Sequence, residues 1–237
     1  MVLRGLAVHV PDGFLNAGVS VATGVVSAGG IGFSLMRAKE TLSDRLAPMA
    51  GLVAAFVFAV QMLNFPVAAG TSGHLLGGAL ACIMVGPWAG TIAVAIVLVV
   101  QALLFADGGL TALGTNILLI SIIPGWSGLA IFFGIRKFLP AGRGSVVTAS
   151  FVAALLSVVI AAFAFVLLYA IGGSGNAPMS TVLAAMLSVH FLVGIGEGLI
   201  TAMTVGAVVA VRPDLVYGAL DLMPELQLGS DVAVGRS

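Results

Sequence analysis

Long apolar runs separated by short polar stretches make up most of the chain. Six of these runs match the length of a membrane-crossing helix, which rises about 1.5 Å per residue across a hydrocarbon core of about 30 Å. A seventh run, 73–86, is shorter, and we expect it to form a tilted or partly inserted helix. The pattern therefore predicts an all-α polytopic membrane protein, a bundle of about seven transmembrane helices. The six long runs are 17–36, 46–65, 88–106, 114–136, 146–171 and 181–211.

Composition supports a multi-pass protein of the cell membrane. Hydrophobic residues make up 60% of the chain and charged residues 8%, and the mean hydropathy is +1.22, far from the values of soluble domains. Nine basic and nine acidic residues cancel, so the charge balance does not indicate nucleic-acid binding. The single cysteine, Cys82, excludes both a disulfide framework and a cluster of thiolate ligands. The sequence has no phosphate-binding loop, so any ATP hydrolysis must come from other chains.

The basic residues predict how the helices are oriented. They concentrate in the loops 37–45 and 136–143 and at Arg212, and a count of seven helices places all three on the same side. The positive-inside rule makes that side cytoplasmic, so the N-terminus faces outward and the C-terminus lies in the cytoplasm. The chain then divides into an extracytoplasmic segment with a candidate metal-binding histidine (1–16), a transmembrane domain (17–211) and a cytoplasmic tail (212–237). We expect the tail to be loosely ordered, because it is polar and interrupted by proline.

A polar stretch between two apolar runs, residues 64–78, is the first candidate site. It contains Asn64, Ser72 and His74, and an ionisable side chain at the mouth of a membrane helix is a functional-site hypothesis by default. We expect Ser72 to cap the helix 73–86, so His74 either helps to satisfy the start of that helix or binds a metal. A neutral imidazole suits the second role, because the positive end of the helix dipole discourages its protonation.

His9, close to the N-terminus, is the second candidate ligand. A lone histidine in a surface turn usually has no role, but a histidine close to an N-terminus can bind a metal together with the terminal amine. A free amine, a deprotonated backbone amide and an imidazole at the second residue form a planar chelate that suits Ni²⁺ or Cu²⁺. We therefore expect His9 and His74 to meet on the outer face and to hold a metal ion.

Four further polar residues lie at membrane-helix ends or inside a helix. Asp107 and Asn116 flank a glycine-rich turn on the side of the histidines, and we expect them, like Asn64 and Ser72, to support the site. His190 and Glu197 are seven residues apart and therefore share a helix face, with Glu197 near the middle of the membrane. This pair forms either a path for ions or protons, or a hydrogen-bonded pair that ties the last helix into the bundle. We favour the hydrogen-bonded pair.

Several of these stretches together resemble one family. They are residues 9–15 (HVPDGFL), 64–67 (NFPV) with 70–78 (GTSGHLLGG), 106–116 (ADGGLTALGTN) and 190–201 (HFLVGIGEGLIT). The chain resembles the CbiM/NikM-type cobalt/nickel substrate-capture components of energy-coupling-factor ABC transporters. This resemblance implies several transmembrane helices and capture of Ni²⁺ or Co²⁺ outside the cell as the transported substrate, without an organic cofactor. Besides the lipid bilayer it implies partner proteins: a transmembrane coupling protein, two ATPase subunits and often a small accessory membrane protein.

The resemblance also implies a ligand set. In that family the metal is held by the N-terminal amine, the amide and imidazole of the second residue, and the histidine of the GTSGH motif, so the side-chain ligands here are His9 and His74. Family members begin Met-His, whereas Met1 lies eight residues before His9, too far for its amine to close a small chelate ring. We therefore expect the functional chain to begin at Val8, whose amine completes the set. In the alternative, residues 1–7 persist and His9 binds through its ring alone.

Two other classes of function compete with metal capture. A stand-alone secondary transporter or channel would use His190 and Glu197 as its ion or proton path. A membrane enzyme is disfavoured, because the sequence shows no nucleophile–base pair and no two-carboxylate constellation. The favoured prediction is therefore a non-catalytic subunit that captures Ni²⁺ or Co²⁺.

Overall fold

The computed structural model describes residues 9–41, 46–63, 65–68, 71–175 and 177–223, and the regular secondary structure of these residues is helical apart from one short β-hairpin. The helices are α1 (Ala17–Thr41), α2 (Leu46–Gln61), α3 (Gly78–Val85), α4 (Pro87–Leu104), α5 (Leu113–Asn116), α6 (Ile123–Arg136), α7 (Arg143–Gly172) and α8 (Met179–Val211). The hairpin strands are β1 (Phe65–Ala68) and β2 (Thr71–Gly73). A π-helical turn, Ile117–Ile122, joins α5 to α6, and two 3₁₀ turns, Pro213–Leu215 and Tyr217–Leu222, follow α8.

Five segments of the described chain are long and apolar enough to cross a membrane, which confirms the prediction of a helical, multi-pass membrane protein. The remaining predicted run, 46–65, ends early, because α2 has only 16 residues and stops at Gln61. The five segments agree with the predicted runs to within a few residues at each end. They are Ala17–Glu40, Pro87–Leu104, Leu113–Arg136, Arg143–Gly172 and Met179–Val211.

The stretch predicted as a short helix, 73–86, is built differently. Strands β1 and β2 pair in antiparallel fashion with Phe65 opposite Gly73, residues 74–77 have no regular structure, and α3 begins only at Gly78. Gly77 occupies the N-cap position with a φ of 77°, a left-handed conformation that favours glycine. A helix start at residue 73 and a cap at Ser72 are therefore wrong predictions, because the hairpin already uses the backbone of 71–73.

Helix α3 forms the centre of the bundle. All eight of its residues are buried, mainly against α4 and α6. Glycines stand where these helices cross: a Cβ on Gly90 would lie 2.7 Å from the carbonyl carbon of Ala81, and one on Gly125 would lie 2.8 Å from Sγ of Cys82. Small residues at crossings let helix backbones approach closely, as is usual in membranes. Large apolar side chains are instead exposed on the outer helices, as surfaces that face lipid require: Val25, Phe33, Leu167, Ile171 and Met203.

The membrane segment Leu113–Arg136 is not a uniform α-helix. Pro124 has no N–H to donate to the carbonyl of Ile120, and the wider π-helical turn lies directly before it. The start of this segment is fixed against α1 by polar contacts, since the hydroxyls of Thr23 and Thr115 lie 2.7 Å apart. This contact holds the neighbouring Asn116 in a defined position.

One end of the bundle brings together three stretches that are far apart in sequence. The N–H of Gly109 donates to the carbonyl of Val10 (3.0 Å), and the N–H of Asn16 donates to the carbonyl of Gly172 (2.7 Å). Segment 9–16 therefore lies between the 105–112 loop and the 172–175 loop, and we call this region the histidine end.

The opposite end is closed by the chain that follows α8. Arg136 donates two hydrogen bonds of 2.7 Å to the carboxylate of Asp221 and one of 2.6 Å to the carbonyl of Gly218. Val216 and Ala219 are fully buried beneath this contact. The prediction of a loosely ordered tail is thus wrong for residues 213–222, which pack against the bundle. We call this region the arginine end.

Candidate metal centre

His9 and His74 meet at the histidine end, as predicted from the sequence. Their ring centroids are 4.7 Å apart and the planes make an angle of 64°. The two residues are only 4% and 7% exposed, although His9 lies at the start of the described chain and His74 between β2 and α3. Two imidazoles from segments 65 residues apart thus share one buried position.

Asn116 and a glycine turn hold His9 in place. The side chain of Asn116 binds both backbone groups of Val10: Oδ1 accepts from the N–H (2.9 Å) and Nδ2 donates to the carbonyl (3.1 Å). Gly108 has a φ of 92°, and a Cβ there would lie 3.0 Å from Cβ of His9. The turn therefore requires glycine, both for its conformation and for the close approach of His9.

Asp107 lies beside the His9 ring, with Oδ1 3.1 Å from Nδ1. This is within ion-pairing distance, but the geometry is not that of a hydrogen bond, and neither ring nitrogen of His9 has a hydrogen-bond partner among the described residues. A buried polar atom left without a partner costs roughly 1–3 kcal/mol. The His9 ring is therefore suited to bind a ligand that supplies the missing interaction.

Two buried side chains, Glu197 and Gln61, bind the backbone of the segment that carries His74. Glu197 on α8 accepts hydrogen bonds from the N–H groups of Leu76 and Gly77, each at 2.7 Å. Gln61 at the end of α2 donates to the carbonyl of Leu76 (2.5 Å). Because residues 74–77 lack regular structure, these bonds replace the backbone partners that a helix or a strand would supply.

The hydrogen bond of the His74 ring sets which nitrogen can bind a metal. Nδ1 lies 2.8 Å from the carbonyl of Leu75, and since a carbonyl only accepts, Nδ1 carries the proton. In the neutral ring the lone pair is then on Nε2. His74 therefore presents Nε2 as its ligand atom.

His190 and Glu197 do not bond to each other, so the predicted hydrogen-bonded pair is wrong. Nδ1 of His190 lies 2.8 Å from the carbonyl of Met186, one turn earlier in α8, while both oxygens of Glu197 bind the 76–77 backbone. Glu197 does tie α8 into the bundle, but to a segment about 120 residues away. Sequence reasoning missed this contact. The only available clue was a carboxylate in a long apolar run.

All three histidines of the chain line one cavity of about 270 Å³. Its other walls are mostly apolar and come from the N-terminal segment, the π-helical turn, α7 and α8: Phe14, Leu119, Ile120, Ala161, Phe165 and Met186. Among the described residues, no three His, Cys, Asp or Glu side chains are close enough to form a metal site by themselves. A metal at His9 and His74 would therefore need additional donors, such as backbone or terminal nitrogens.

Asp12 fastens the N-terminal segment to the 105–112 loop at the surface. Its Oδ1 accepts hydrogen bonds from the hydroxyl (2.5 Å) and the N–H (2.7 Å) of Thr111. The hydroxyl of Thr111 and then its backbone N–H lower the pKa of Asp12 below its usual value of 3.8. Asp12 is therefore ionised at neutral pH and holds the loop.

Three of the predicted site residues lie beyond what the structure describes. Val8 and Asn64 fall outside the described residues, and for Ser72 only the backbone, in β2, is described. Their predicted roles as amine ligand and as supporting residues stay predictions.

A bundle of membrane-length apolar helices with two buried imidazoles at one end defines a multi-pass membrane protein built around a small polar site. Residues 9–215 match the sequence profile described as cobalt uptake substrate-specific transmembrane region, and the chain belongs to this family. The resemblance found in the sequence motifs is thus confirmed at the level of the family.

The relatives of the chain agree with this assignment. It is 38% identical over 208 residues to a provisionally named fused nickel transport protein of Archaeoglobus fulgidus, covering 88% of this chain and 68% of the relative. It is 32% identical over 228 residues to a cobalt transport protein of Geobacter sulfurreducens, covering 91% and 64% of the two chains. A crystal structure of a truncated transition metal transporter superposes with a TM-score of 0.74 at 25% identity, covering 85% of this chain and 98% of that one.

Proposed function

We propose that the chain is the substrate-capture subunit of an energy-coupling-factor ABC transporter that imports Ni²⁺ or Co²⁺. The observation that carries the proposal is the buried contact of His9 and His74, in which neither ring nitrogen of His9 has a hydrogen-bond partner among the described residues. Imidazole nitrogen is a preferred ligand of divalent nickel and cobalt. The names of the relatives, nickel and cobalt transport proteins, support the same substrates.

The metal is captured by His74 through Nε2 and by His9 through its ring. Asp107, 3.1 Å from Nδ1 of His9, supplies a negative charge that offsets part of the charge of the ion. The amide of His9 and the amine of Val8 complete a planar set of four nitrogens when the chain begins at Val8. This arrangement favours Ni²⁺ and Co²⁺ over Mg²⁺ and Ca²⁺, which require oxygen ligands.

The proposed topology has seven crossings, with the histidine end outside. Helix α2 spans about 24 Å and so nearly crosses the hydrocarbon core, and a further crossing is made by α3, which spans about 12 Å, together with the irregular stretch 74–77 that precedes it. The basic residues of the described helix ends support this orientation, because Arg136, Lys137 and Arg143 lie at the arginine end. The cytoplasmic side would then face the ATPase partners.

The chain acts with other subunits rather than alone. Its sequence contains no phosphate-binding loop, so a coupling membrane protein and two ATPase subunits, with or without a small accessory membrane protein, must drive the import. Reconstitution separates this proposal from a stand-alone transporter. The purified chain in liposomes should bind Ni²⁺ without accumulating it, and accumulation should require ATP and the partner proteins. Accumulation by the chain alone would contradict the proposal.

Replacing His74 by Ala tests the capture site. Calorimetry of the full chain in detergent, without an oligohistidine tag, should show loss of high-affinity Ni²⁺ and Co²⁺ binding, because a nitrogen ligand is removed. The Asp221→Asn variant, changed at the arginine end, is the matched control and should bind as the wild type does. Unchanged affinity in His74→Ala would show that the metal binds elsewhere.

The N-terminal amine is tested separately by comparing chains that begin at Met1 and at Val8. Only the shorter chain should give a planar four-nitrogen Ni²⁺ spectrum, and its affinity should fall as the pH is lowered, since amine and amide must lose protons to bind. Equal spectra and affinities would instead support binding of His9 through its ring alone.

A further inference from the structure

The cavity at the histidine end contains a third imidazole that the capture site does not use. Among its fourteen lining residues, the polar side chains are His9, His74, Asn116 and His190. The amide of Asn116 is already occupied at both atoms by the backbone of Val10. An ion that moves from His9 and His74 into the rest of this cavity therefore meets one further side chain with an available nitrogen, His190.

The hydrogen bond of His190 orients this nitrogen for binding. Its Nδ1 lies 2.8 Å from the carbonyl of Met186 and so carries the proton in the neutral ring, which leaves the lone pair on Nε2. Nε2 has no hydrogen-bond partner among the described residues, and the side chain lines the cavity. Metal-ligating histidines commonly donate their other ring N–H to a backbone carbonyl, which fixes both tautomer and ring orientation. His190 has this arrangement.

We propose that Nε2 of His190 is a second, weaker coordination point for Ni²⁺ or Co²⁺, separate from the capture pair and within the same cavity. The site is separate because, among the described residues, the three histidines do not form one ligand cluster. It is weaker because a single imidazole in a mostly apolar cavity leaves the ion with water as its other ligands. Such a site lowers the cost of moving a dication off the capture pair, since the ion regains a nitrogen ligand inside the mostly apolar cavity. This proposal rests on the proposed function.

Two variants isolate the Nε2 atom. In His190→Asn the side-chain amide still donates to the carbonyl of Met186, as Nδ1 does, but the variant has no atom at the position of Nε2. Met186→Leu, which changes another wall of the cavity and leaves the imidazole in place, is the matched control. Both are compared with the wild type by titrating the purified, tag-free full chain with Co²⁺ and following its visible absorption.

The wild type and Met186→Leu should bind a tight and a weaker equivalent of Co²⁺, and His190→Asn should retain only the tight one. With the transport partners present, Co²⁺ uptake by His190→Asn should fall about tenfold, the size of effect seen when one group at a metal site is lost. The inference would be overturned if the wild type bound a single equivalent of Co²⁺ and His190→Asn bound the same equivalent with unchanged affinity. Loss of the tight equivalent in His190→Asn would also overturn it, because His190 would then belong to the capture site.

The same titration distinguishes this inference from the proposed function. His74→Ala should lose the tight equivalent and keep the weaker one. If His74→Ala keeps the tight equivalent, the capture site is wrong whatever His190 does. If His74→Ala loses the tight equivalent while His190→Asn titrates like the wild type, the capture site stands and the second site does not exist.

Discussion

The two ends of the bundle differ in how exposed to water the polar contacts that close them are. At the histidine end, buried polar side chains bind the backbone of distant segments: Asn116 binds Val10, and Glu197 binds Leu76 and Gly77. At the arginine end, Arg136 also binds a distant backbone group, the carbonyl of Gly218, but its other partner is the carboxylate of Asp221, whose side chain is 56% exposed. Water competes for the exposed pair but not for the buried bonds.

This difference matters because the histidine end has to hold residues without helix or strand partners in a fixed shape. The N–H groups of Leu76 and Gly77 have no helical or strand partners and depend on Glu197, and a buried N–H without an acceptor costs roughly 1–3 kcal/mol. An exposed ion pair is worth only about 0–1 kcal/mol. The candidate metal centre is therefore fixed before any ion binds, which lowers the cost of binding.

The largest effect should follow from Glu197→Ala. It leaves the buried N–H groups of Leu76 and Gly77 without an acceptor, so stability should fall by roughly 2–6 kcal/mol, and metal affinity should fall because the His74 segment loosens. Thermal unfolding in detergent and calorimetry with Ni²⁺ measure the two effects. The stability and the metal affinity of Glu197→Gln, which keeps one acceptor, should lie between those of Glu197→Ala and those of the wild type. Wild-type stability in the Ala variant would mean that the segment does not depend on the carboxylate.

A smaller effect, mainly on affinity, is expected for Asn116→Ala. The change removes both bonds to the backbone of Val10 and so frees His9 to move, which should weaken Ni²⁺ binding by about 10–100-fold, as for other residues that orient metal ligands. Asn116→Asp keeps the acceptor for the Val10 N–H and should lose less. The ratio of the two dissociation constants is the decisive quantity, and equal values would show that the bond from the N–H of Val10 to Oδ1 of Asn116 contributes nothing.

The membrane helices and the meeting of the two histidines could be predicted from the sequence. Apolar runs reveal spanning helices because each must be about 20 residues long. His9 and His74 stood out as ionisable residues beside such runs, and the structure brings their rings into contact. The helices follow from local information, a run of apolar side chains, whereas the pairing of the two histidines follows from the resemblance of their motifs to one family.

The contacts that fix the site could not be predicted, because their partners are distant in sequence. Glu197 binds a segment about 120 residues away, and its partners are backbone groups, which leave no trace in a sequence. The hairpin that replaced the start of the predicted helix consists of strands of four and three residues, too short to show an alternating pattern. The packing of residues 213–222 against the bundle was not predicted, because only a few apolar residues in this polar stretch, such as Val216 and Ala219, are buried.

A still smaller effect is expected at the surface of the histidine end, where Asp12 binds Thr111. Asp12→Ala should weaken Ni²⁺ binding by about two- to threefold, because the contact is exposed. The folded pKa of Asp12 is lowered, so its contribution is complete above its unfolded pKa and is lost only as the pH falls through the still lower folded value. Binding curves of the wild type and Asp12→Ala should therefore stay parallel between about pH 5 and pH 8, where histidines titrate. Curves that diverge in this range would mean that Asp12 is coupled to the histidines.

The smallest effect on metal binding should come from the arginine end. Asp221→Asn weakens the pair with Arg136 and should lower stability by about 1 kcal/mol or less, with the difference shrinking further at high salt. The hydrogen bonds from Arg136 lower the pKa of Asp221, so the pair is complete at neutral pH and is lost as the pH falls through the lowered folded value. Metal affinity should be unchanged, because this contact lies at the opposite end of the bundle from His9 and His74. Thermal unfolding of Asp221→Asn and Glu197→Ala at two salt concentrations compares the ends directly. If Asp221→Asn lost as much stability as Glu197→Ala, or lost metal affinity, the two ends would not differ in the way proposed.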